Sequence, residues 1–315
     1  MNKIKHFCQK IANKIIDSAI LCFAYFSGFF LSLMSDKIFF YHIKMLSFLF
    51  QVFDKRRAKD ALANLDFAFE GTLDSAKKRA ILKRAYDNFA FVVLNAMRLI
   101  WMPKEKYIAK FRVHNEKLIS DLIAQGNFVF ITAHYGDWEG TARYVAHKHK
   151  EINLSVVGRL TQFDSVNTLM EKSRQKFGSR FLDRRGVGRK LVALLKDKKN
   201  IIGLVIDQNK SDGIWVKFFG KEVLHTEAAS IFARKYKIPI IYAYMRLSKD
   251  YSAYNLHFEK VCDCVITSDS KADILAMTQA QSDFTERIIR EAPEEWLWFH
   301  RRFKAKYNEI YDFLS

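Results

Sequence analysis

Hydrophobic residues are concentrated in two runs near the beginning of the chain. Residues 19–34 include no charged side chain, and residues 38–53 are apolar except at a few positions. In the second run, Lys44, Ser47 and Gln51 share one helical stripe, which is the pattern of an amphipathic helix lying in a membrane interface. The two runs together predict a hydrophobic, helical membrane anchor.

The first run is short for a membrane span. As a helix it extends about 24 Å, whereas the hydrocarbon core of a bilayer is about 30 Å thick. A full span therefore requires Ile15 and Ile16 to extend the helix and Asp17 to lie near an interface. Basic residues flank the anchor on both sides, so their distribution predicts no orientation; they are Lys3, Lys5, Lys10, Lys14, Lys55, Arg56, Arg57 and Lys59. We expect residues 1–54 to form the anchor, although a soluble hairpin buried in the core also fits.

Beyond residue 55, helical periodicity alternates with short runs that are apolar throughout. Such runs are typical of strands buried on both faces of a parallel sheet; strands are predicted at 128–133, 154–158, 201–206, 239–244 and 254–261. Two helices are predicted within 56–102, before Pro103, and others at 138–148, 164–177, 190–198, 227–237 and 272–291. This order predicts an α/β fold in which helices cover a mostly parallel central sheet, formed as one domain over 55–315.

Composition narrows the class of protein. Hydrophobic residues make up 50% of the chain and charged residues 27%, which excludes a disordered tail. The 52 basic and 34 acidic residues give a net charge of +18, so polyanionic partners are favoured: nucleic acid, anionic lipid, a phosphorylated substrate or an acidic protein. The densest basic segment, 172–190, contains one acid, Asp183, and eight basic residues: Lys172, Arg174, Lys176, Arg180, Arg184, Arg185, Arg189 and Lys190.

The four cysteines, Cys8, Cys22, Cys262 and Cys264, lack the paired spacing of a metal site. They predict reduced structural thiols and a domain in the reducing cytosol. No cofactor or metal ion is predicted, because the sequence contains neither a metal-ligand cluster nor a glycine-rich nucleotide loop.

Candidate chemistry follows the predicted strand at 128–133. His134 comes directly after this strand, and Asp137 and Glu139 follow three and five residues later. The carboxyl end of a parallel strand is where α/β proteins place functional groups, and a histidine held by a carboxylate can remove a proton from a hydroxyl. A structural histidine explains the same spacing, and Asp137 also suits the N-cap of the next helix.

The segment ITAHYGDWE resembles the H-x4-D/E motif of the glycerolipid and lysophospholipid acyltransferases, in particular the late acyltransferases of bacterial lipid A biosynthesis. The similarity continues in order through VVGRL, an arginine in EKSRQKFG, FLDRRGVGRKLVALLKDKKNIIGLVIDQN, VKFFG, KIPIIYAY and APEEWLWFHRRFK, over residues 55–306. The motif by itself is moderately specific, whereas the ordered combination is a strong signal.

The resemblance implies a glycerolipid acyltransferase-like fold and a defined reaction. An acyl chain would pass from an acyl carrier protein thioester to the 3-hydroxyl of an acyl chain on a Kdo-bearing lipid A precursor. His134 would be the general base, Glu139 its partner and Asp137 a non-catalytic member of the motif. Neither a metal ion nor an acyl-enzyme is required, because a deprotonated alcohol is nucleophilic and thiolate leaves readily. The implied location is the inner membrane, in contact with its lipid, with the catalytic domain on the cytoplasmic side.

The resemblance also implies substrate-binding residues. Arg159 and Arg174 occupy positions where the family carries arginines, which would bind substrate phosphate or support the oxyanion. Asp207 matches the family's acidic position and would orient an arginine or His134, and Gln208 follows it. Solvated helix charges are the competing interpretation of both arginines.

Aromatic residues suggest two further roles. Trp138, Phe163, Phe218 and Phe219 are candidates for the lining of an apolar acyl pocket, although aromatic residues more often pack in a core. In the C-terminal segment WFHRRFK, basic and aromatic residues alternate, as they do at headgroup depth in a membrane; the basic ones are Arg301, Arg302 and Lys304. His300 in the same segment is predicted to be structural.

Two other functions fit the same sequence. An H-x4-E acyltransferase acting on another glycolipid or a lysophospholipid would carry the same motif. A basic membrane scaffold or nucleic-acid-binding protein would need no catalytic groups. The joint presence of His134, Glu139, Arg159, Arg174 and Asp207, without a nucleic-acid-binding motif, disfavours the last class, so no nucleic acid partner is predicted.

Overall fold

The computed structural model describes residues 2–126, 128–161, 163–209 and 212–312, except for the side chains of 2–13. The predictions for Lys3, Lys5, Lys10 and Cys8 depend on side chains outside the described residues. The other cysteines, Cys22, Cys262 and Cys264, are free thiols.

A seven-stranded sheet forms the centre of the protein. Its strands are β1 (Phe111–His114), β2 (Val129–Thr132), β3 (Asn153–Gly158), β4 (Arg180–Asp183), β5 (Asn200–Val205), β8 (Ile240–Leu247) and β9 (Tyr254–Cys262), while β6 (Ile214–Phe218) and β7 (Lys221–His225) form a separate hairpin. The order across the sheet is β1-β9-β8-β2-β5-β3-β4. The five strands from β8 to β4 run parallel, β9 is antiparallel to β8, and β1 is parallel to β9. The predicted α/β fold with a mostly parallel sheet is confirmed.

The sequence pattern did not predict β1, β4 or the β6–β7 hairpin. β1 and β4 are as short as β2, but β1 alternates between half-buried and exposed residues and β4 has one buried residue, whereas every residue of β2 is buried. Short strands with one solvated face lack the continuous apolar run that marks a strand buried on both faces.

Helices cover both faces of the sheet. Those in the described residues are α1 (Asn2–Leu33), α2 (Asp36–Phe53), α3 (Lys55–Ala68), α4 (Ser75–Arg98), α5 (Lys104–Ile108), α6 (Glu116–Gln125), α7 (Trp138–Lys148), α8 (Asp164–Phe177), α9 (Gly188–Leu194), α10 (Ala228–Tyr236) and α11 (Ser270–Glu291). The side chains of Asp54 and Asp74 cap the beginnings of α3 and α4. These two helices confirm the pair predicted within 56–102, whereas α5 and α6 were not predicted.

Each face of the sheet contributes to a separate hydrophobic core. Phe130 packs with residues of α7 on one face, while the next residue, Ile131, packs with residues of α10 and α11 on the other. Successive strand residues point to opposite faces. The buried parallel strands therefore need apolar residues at every position.

α2 packs against α4 with its polar stripe turned inward. Ser47 is fully buried, and the Lys44 ammonium lies 2.5 Å from the buried carboxylate of Asp87. Large apolar side chains, including Phe48 and Phe53, are exposed on the other side of α2. The interfacial helix predicted from the sequence would turn its polar stripe toward water; here the stripe binds α4 instead.

α1 includes a segment, Lys14–Leu33, that is long and apolar enough to cross a membrane by length and composition. The same helix packs against the body of the protein. Asp17 accepts hydrogen bonds from the backbone nitrogen and hydroxyl of Ser165, at 3.3 and 2.7 Å, where α8 begins. The acidic residue within the predicted anchor therefore has donors from the protein itself.

The C-terminal segment packs in the core. Arg302 is 1% exposed, donates to the carbonyl of Leu224 at 2.7 Å and lies over the ring of Phe218. Arg301 pairs with Asp60 at 3.0 Å. The interfacial role predicted for Arg302 is wrong, because the neighbouring aromatic rings pack in the core and bury this part of the chain.

Candidate active site

His134 and Asp207 meet at the carboxyl ends of two adjacent strands. His134 comes two residues after β2, Asp207 comes two residues after β5, and these strands pair in parallel. His134 Nδ1 lies 2.8 Å from Asp207 Oδ1. Parallel pairing thus joins two side chains that are 73 residues apart in the chain.

The Asp207 carboxylate is buried among hydrogen-bond donors. Its Oδ2 accepts from the His134 backbone nitrogen at 2.9 Å and from Trp296 Nε1 at 2.8 Å. Burial opposes ionisation, but the charge and hydrogen bond of His134 and the other nearby donors outweigh burial and hold the pKa of Asp207 well below its usual value. Asp207 therefore acts as a fixed acceptor behind the imidazole.

The other ring nitrogen of His134 faces a cleft. The side chain is 16% exposed, its Nε2 lies 3.3 Å from the amide of Gln208, and its ring packs 4.9 Å from that of Trp138. Because a carboxylate can only accept, the Nδ1 proton is directed to Asp207 and Nε2 keeps its lone pair. This is the form of the imidazole that accepts a proton.

Glu139 pairs with Arg174. Nε and Nη2 of Arg174 lie 3.0 and 2.6 Å from the two Glu139 oxygens, and the side chains are only 8% and 10% exposed. Burial opposes ionisation of Glu139, but the Arg174 charge lowers its pKa below the usual value. In the part of the chain that the structure describes, no hydrogen bond joins Glu139 to His134. The first turn of α7 directs Glu139 to Arg174 on α8, and the predicted partnership of Glu139 with His134 stays a prediction.

Asp137 begins α7. Its Oδ1 accepts from the backbone nitrogen of Gly140 at 3.0 Å, which is the predicted N-cap, and its Oδ2 accepts from the Tyr107 hydroxyl at 2.9 Å. The carboxyl is fully buried, and burial raises its pKa. These contacts give Asp137 a structural part in the motif.

The turn between His134 and α7 requires glycine. Gly136 has a φ of +56°, and a Cβ at this position would lie 1.9 Å from the Met245 carbonyl oxygen. The Gly136 nitrogen donates to the Glu295 carbonyl at 2.8 Å, and the Leu297 nitrogen donates to the His134 carbonyl at 2.9 Å. The turn is thus held between β8 and the C-terminal segment.

A cleft of about 640 Å³ opens over His134. Charged and apolar side chains both line it. The charged ones are Glu139, Arg159, Arg174 and Arg184, and the apolar ones include Trp138, Val156, Leu160, Met170, Phe181 and Leu191. A cleft lined by both kinds of side chain suits an acyl chain with a reactive polar end.

The predicted aromatic lining is correct for Trp138 only. Phe218 and Phe219 are buried in the core, and Phe163 is exposed but does not line the cleft among the described residues. Phe218 ends β6 and Phe219 lies in the turn of the β6–β7 hairpin, which packs against α11, so both rings are directed into the core rather than into the cleft.

The basic residues near the cleft divide into buried and exposed groups. Arg174 binds Glu139, and the Lys176 ammonium donates to the carbonyls of Leu99 and Met102, both at 2.8 Å, near the end of α4. Beside the cleft, four exposed basic side chains form no side-chain hydrogen bond or ion pair with the residues that the structure describes, and we call them the mouth cluster: Arg159, Arg184, Arg189 and Lys190.

Comparison with known sequences assigns the chain to a family. The profile of the family described as bacterial lipid A biosynthesis acyltransferase matches residues 9–305. The chain belongs to this family. The lipid A biosynthesis lauroyltransferase of Escherichia coli (strain K12) is 24% identical over 259 residues, which are 81% of each chain. The resemblance inferred from the ordered motifs is confirmed.

In this lipid A biosynthesis acyltransferase, most of the polar residues that meet at His134 were predicted from the sequence motifs. His134, Asp207 and Gln208 meet at one point, while Arg159 lines the cleft without contacting them. Trp296 was not predicted as a site residue. Its signal in the sequence is the C-terminal motif APEEWLWFHRRFK, which supports the family resemblance but by itself indicates no role for the tryptophans.

Proposed function

We propose that this member of the family transfers a fatty acyl chain from an acyl carrier protein thioester to the 3-hydroxyl of an acyl chain on a lipid A precursor, with His134 as general base. The observation that carries the proposal is the His134–Asp207 pair, whose Nε2 faces the cleft beside the Gln208 amide. A buried carboxylate behind an imidazole and an open cleft in front of it are what deprotonation of a hydroxyl requires.

The reaction needs one base and one stabilised oxyanion. His134 Nε2 takes the proton of the acceptor hydroxyl while the oxygen attacks the thioester carbonyl carbon. The tetrahedral intermediate then breaks its C–S bond, and the imidazolium returns the proton to the leaving thiolate. Asp207 stabilises the imidazolium between these steps, because its negative charge lies 2.8 Å from Nδ1.

Arginines and an amide supply the remaining contacts in this proposal. Arg159 is exposed at the cleft and binds substrate phosphate. Arg174 uses two of its N–H groups on Glu139, so Glu139 acts by holding this guanidinium for the oxyanion or substrate. The Gln208 amide, near His134 Nε2, orients the arriving hydroxyl.

The mouth cluster supports an acidic carrier protein as the acyl donor. Arg184 follows β4, and Arg189 and Lys190 lie at the beginning of α9, at the edge of the sheet that carries the site. Lys196 and Lys199 lie at the opposite edge, where the chain returns to β5. Uncompensated positive charge beside the cleft favours association with an acidic protein there.

Charge reversal tests carrier docking. Replacing Arg189 and Lys190 with glutamate should raise the KM for the carrier thioester about tenfold at low salt and leave kcat unchanged, because rim charges act mainly on association. The control, Lys196→Glu with Lys199→Glu, makes the same change of charge at the far edge and should leave this KM unchanged. A rise confined to the KM of the lipid acceptor would contradict carrier docking and assign the cluster to lipid phosphate.

Residues 1–54 are the membrane-binding part in this proposal, with the 55–315 domain on the cytoplasmic side of the inner membrane. Large exposed apolar side chains are concentrated on α1 and α2; they are Ile15, Ile16, Phe23, Phe26, Phe29, Phe30, Leu33, Ile38, Tyr41, Met45, Phe48, Leu49, Val52 and Phe53. Exposed apolar surface of this extent is expected at a membrane contact. α1 touches α8, which contributes Arg174 to the cleft, so a lipid acceptor would approach from this side.

Product mass tests the function. Detergent-extracted protein is incubated with carrier protein charged with saturated chains of several lengths and a Kdo-bearing tetraacylated precursor. The expected product gains one acyl chain, and the gain is lost in His134→Ala although this variant still binds membranes. Transfer only to a lysophospholipid or to another glycolipid would replace the proposed acceptor. Salt-sensitive DNA binding without acyl transfer would refute the proposal.

A further inference from the structure

The C-terminal segment contacts the His134–Asp207 pair at three points. Trp296 Nε1 donates to Asp207 Oδ2 at 2.8 Å, the Leu297 nitrogen donates to the His134 carbonyl at 2.9 Å, and His300 Nε2 lies 3.3 Å from the Asp207 carbonyl oxygen. Among these contacts, the bond from Trp296 alone reaches the carboxylate that holds His134. Trp296 is fully buried and Asp207 is 2% exposed, so water does not compete for this bond.

We propose that Trp296 is a positioning residue that sets the orientation and the proton affinity of the His134–Asp207 pair; the inference rests on the proposed function of that pair. The Trp296 indole and the His134 backbone nitrogen both donate to Oδ2. Together they fix the plane of the carboxylate, so that Oδ1 is directed at His134 Nδ1.

The indole of Trp296 is itself held in place. Its ring packs edge to face against that of Trp298, with centroids 4.6 Å apart, and against those of Phe218 and His300, at 5.8 and 5.0 Å. A buried ring in such a cluster does not change rotamer without disturbing its neighbours. The donor therefore stays aimed at Asp207.

The other titratable or charged groups that face the pair come from three further places in the fold: Glu139 on α7, Tyr242 on β8, and His300 and Arg302 in the C-terminal segment. Burial lowers the pKa of His300 to about 4 and raises that of Tyr242 well above its usual value, so both are neutral near pH 7. Exchanging Trp296 for phenylalanine leaves all four groups in place. A change in the titration of the His134–Asp207 pair in this variant would therefore result from the loss of the indole N–H.

Trp296→Phe removes this N–H and keeps an aromatic ring. Asp207 Oδ2 then has one donor fewer, so the carboxylate attracts the His134 proton more strongly and its orientation loosens. We expect the acid limb of the pH–rate profile to move to higher pH, and kcat to fall about tenfold or more, as for the loss of one hydrogen bond to a charged group. The KM of either substrate should stay unchanged.

Trp298→Phe is the matched control. Trp298 is equally buried, and its indole donates to the Pro293 carbonyl at 2.7 Å. The substitution makes the same packing change in the same segment but removes no donor to Asp207, so the acid limb should stay in place. Parallel losses of activity in both variants, with parallel losses of thermal stability, would assign Trp296 a merely structural role.

Two further measurements keep the outcome clear. The titration midpoint of His134 is followed without substrate by ¹⁵N NMR of histidine-labelled protein in detergent, with the signal assigned by its loss in His134→Ala. It should rise in Trp296→Phe and stay unchanged in Trp298→Phe. In an Asp207→Asn background, Trp296→Phe should lower kcat no further, because Trp296 acts through Asp207.

An unchanged midpoint and kcat in folded Trp296→Phe protein would overturn this inference while leaving acyl transfer by the wild type intact. A fully additive loss of kcat in the double variant would also overturn it. Absence of transfer by the wild type, with the NMR shift present, would overturn the proposed function alone.

Discussion

Asparagine at position 207 should trap His134 in the wrong tautomer. Asp207 Oδ2 receives two donors, the His134 nitrogen at 2.9 Å and Trp296 Nε1 at 2.8 Å, whereas Oδ1 faces His134 Nδ1. In Asp207→Asn the amide oxygen must take the Oδ2 position to accept from both donors, which turns the NH2 group toward Nδ1. An NH2 group only donates. Nδ1 must then be the acceptor, and the imidazole proton moves to Nε2, the atom that accepts the substrate proton in the proposed reaction.

The size of the effect follows from the same contacts. In the opposite orientation, with the amide oxygen toward His134 Nδ1, two buried N–H donors would have no acceptor, which costs about 1–3 kcal/mol of free energy each. The total of about 2–6 kcal/mol lowers the population of the competent tautomer by a factor between about 30 and about 2 × 10⁴. Loss of the carboxylate charge beside the imidazolium lowers the rate further, so we expect kcat to fall about 10³-fold.

Initial rates of acyl transfer, followed by product mass, give kcat, and ¹⁵N NMR of histidine-labelled protein reports which ring nitrogen of His134 carries the proton. Thermal unfolding checks that Asp207→Asn is folded. A kcat within about tenfold of wild type, or a proton still on Nδ1, would refute the reasoning.

Folding lowers the pKa of Asp207, so its stabilising contribution is present above the unfolded pKa of about 3.9 and is lost as pH falls. The difference in unfolding free energy between wild type and Asp207→Asn should therefore shrink below about pH 5.

Three further predictions concern the rest of the site and the anchor. Glu139→Ala and Arg174→Ala should each lower the free energy of unfolding by about 3–5 kcal/mol and severely impair transfer, because each leaves a buried charge unpaired. In denaturant unfolding, the double variant should lose less than the sum of the two single losses. Additive losses would contradict the pairing. Gly136→Ala should destabilise the protein and abolish transfer, because its Cβ would overlap a backbone carbonyl. The control, Gly186→Ala, has φ +68° and open space around it, so it should lower the free energy of unfolding by only about 1–2 kcal/mol and keep activity. Equal losses of stability in the two variants would contradict a steric requirement at Gly136. Phe48→Asp should shift the protein from vesicles to the soluble fraction in flotation assays, because Phe48 is an exposed apolar residue of α2. Leu275→Asp, at an exposed apolar position on α11, should not. Unchanged flotation of Phe48→Asp would contradict a membrane contact through α2.

The elements buried most completely were the easiest to predict. β2 and β5 are apolar at nearly every position because helices cover both of their faces. His134 and Asp207 could be placed at the ends of these strands for the same reason. β1 is as short as β2, but none of its residues is fully buried, so its sequence lacks the continuous apolar run that distinguishes a buried strand from a loop.

Side-chain partners were harder to predict than positions. Glu139 stands five residues from His134 in the chain, and the resemblance implied that they are partners. The pairing of β2 with β5 instead brings Asp207 to His134, and the packing of α7 against α8 gives Glu139 to Arg174. Proximity in sequence decided neither pair, because each forms between elements that meet only after the sheet is assembled.

The sequence by itself determined the α/β class, the edge of the sheet that carries the chemistry, the N-cap at Asp137 and the amphipathic character of α2. Each of these depends on periodicity or on neighbours within one helix or strand. The tertiary structure decided that the polar stripe of α2 faces α4, that Asp207 holds His134, and that Trp296 reaches Asp207 from a segment 89 residues away. Such contacts depend on strand order, register and helix packing, and no local pattern specifies them.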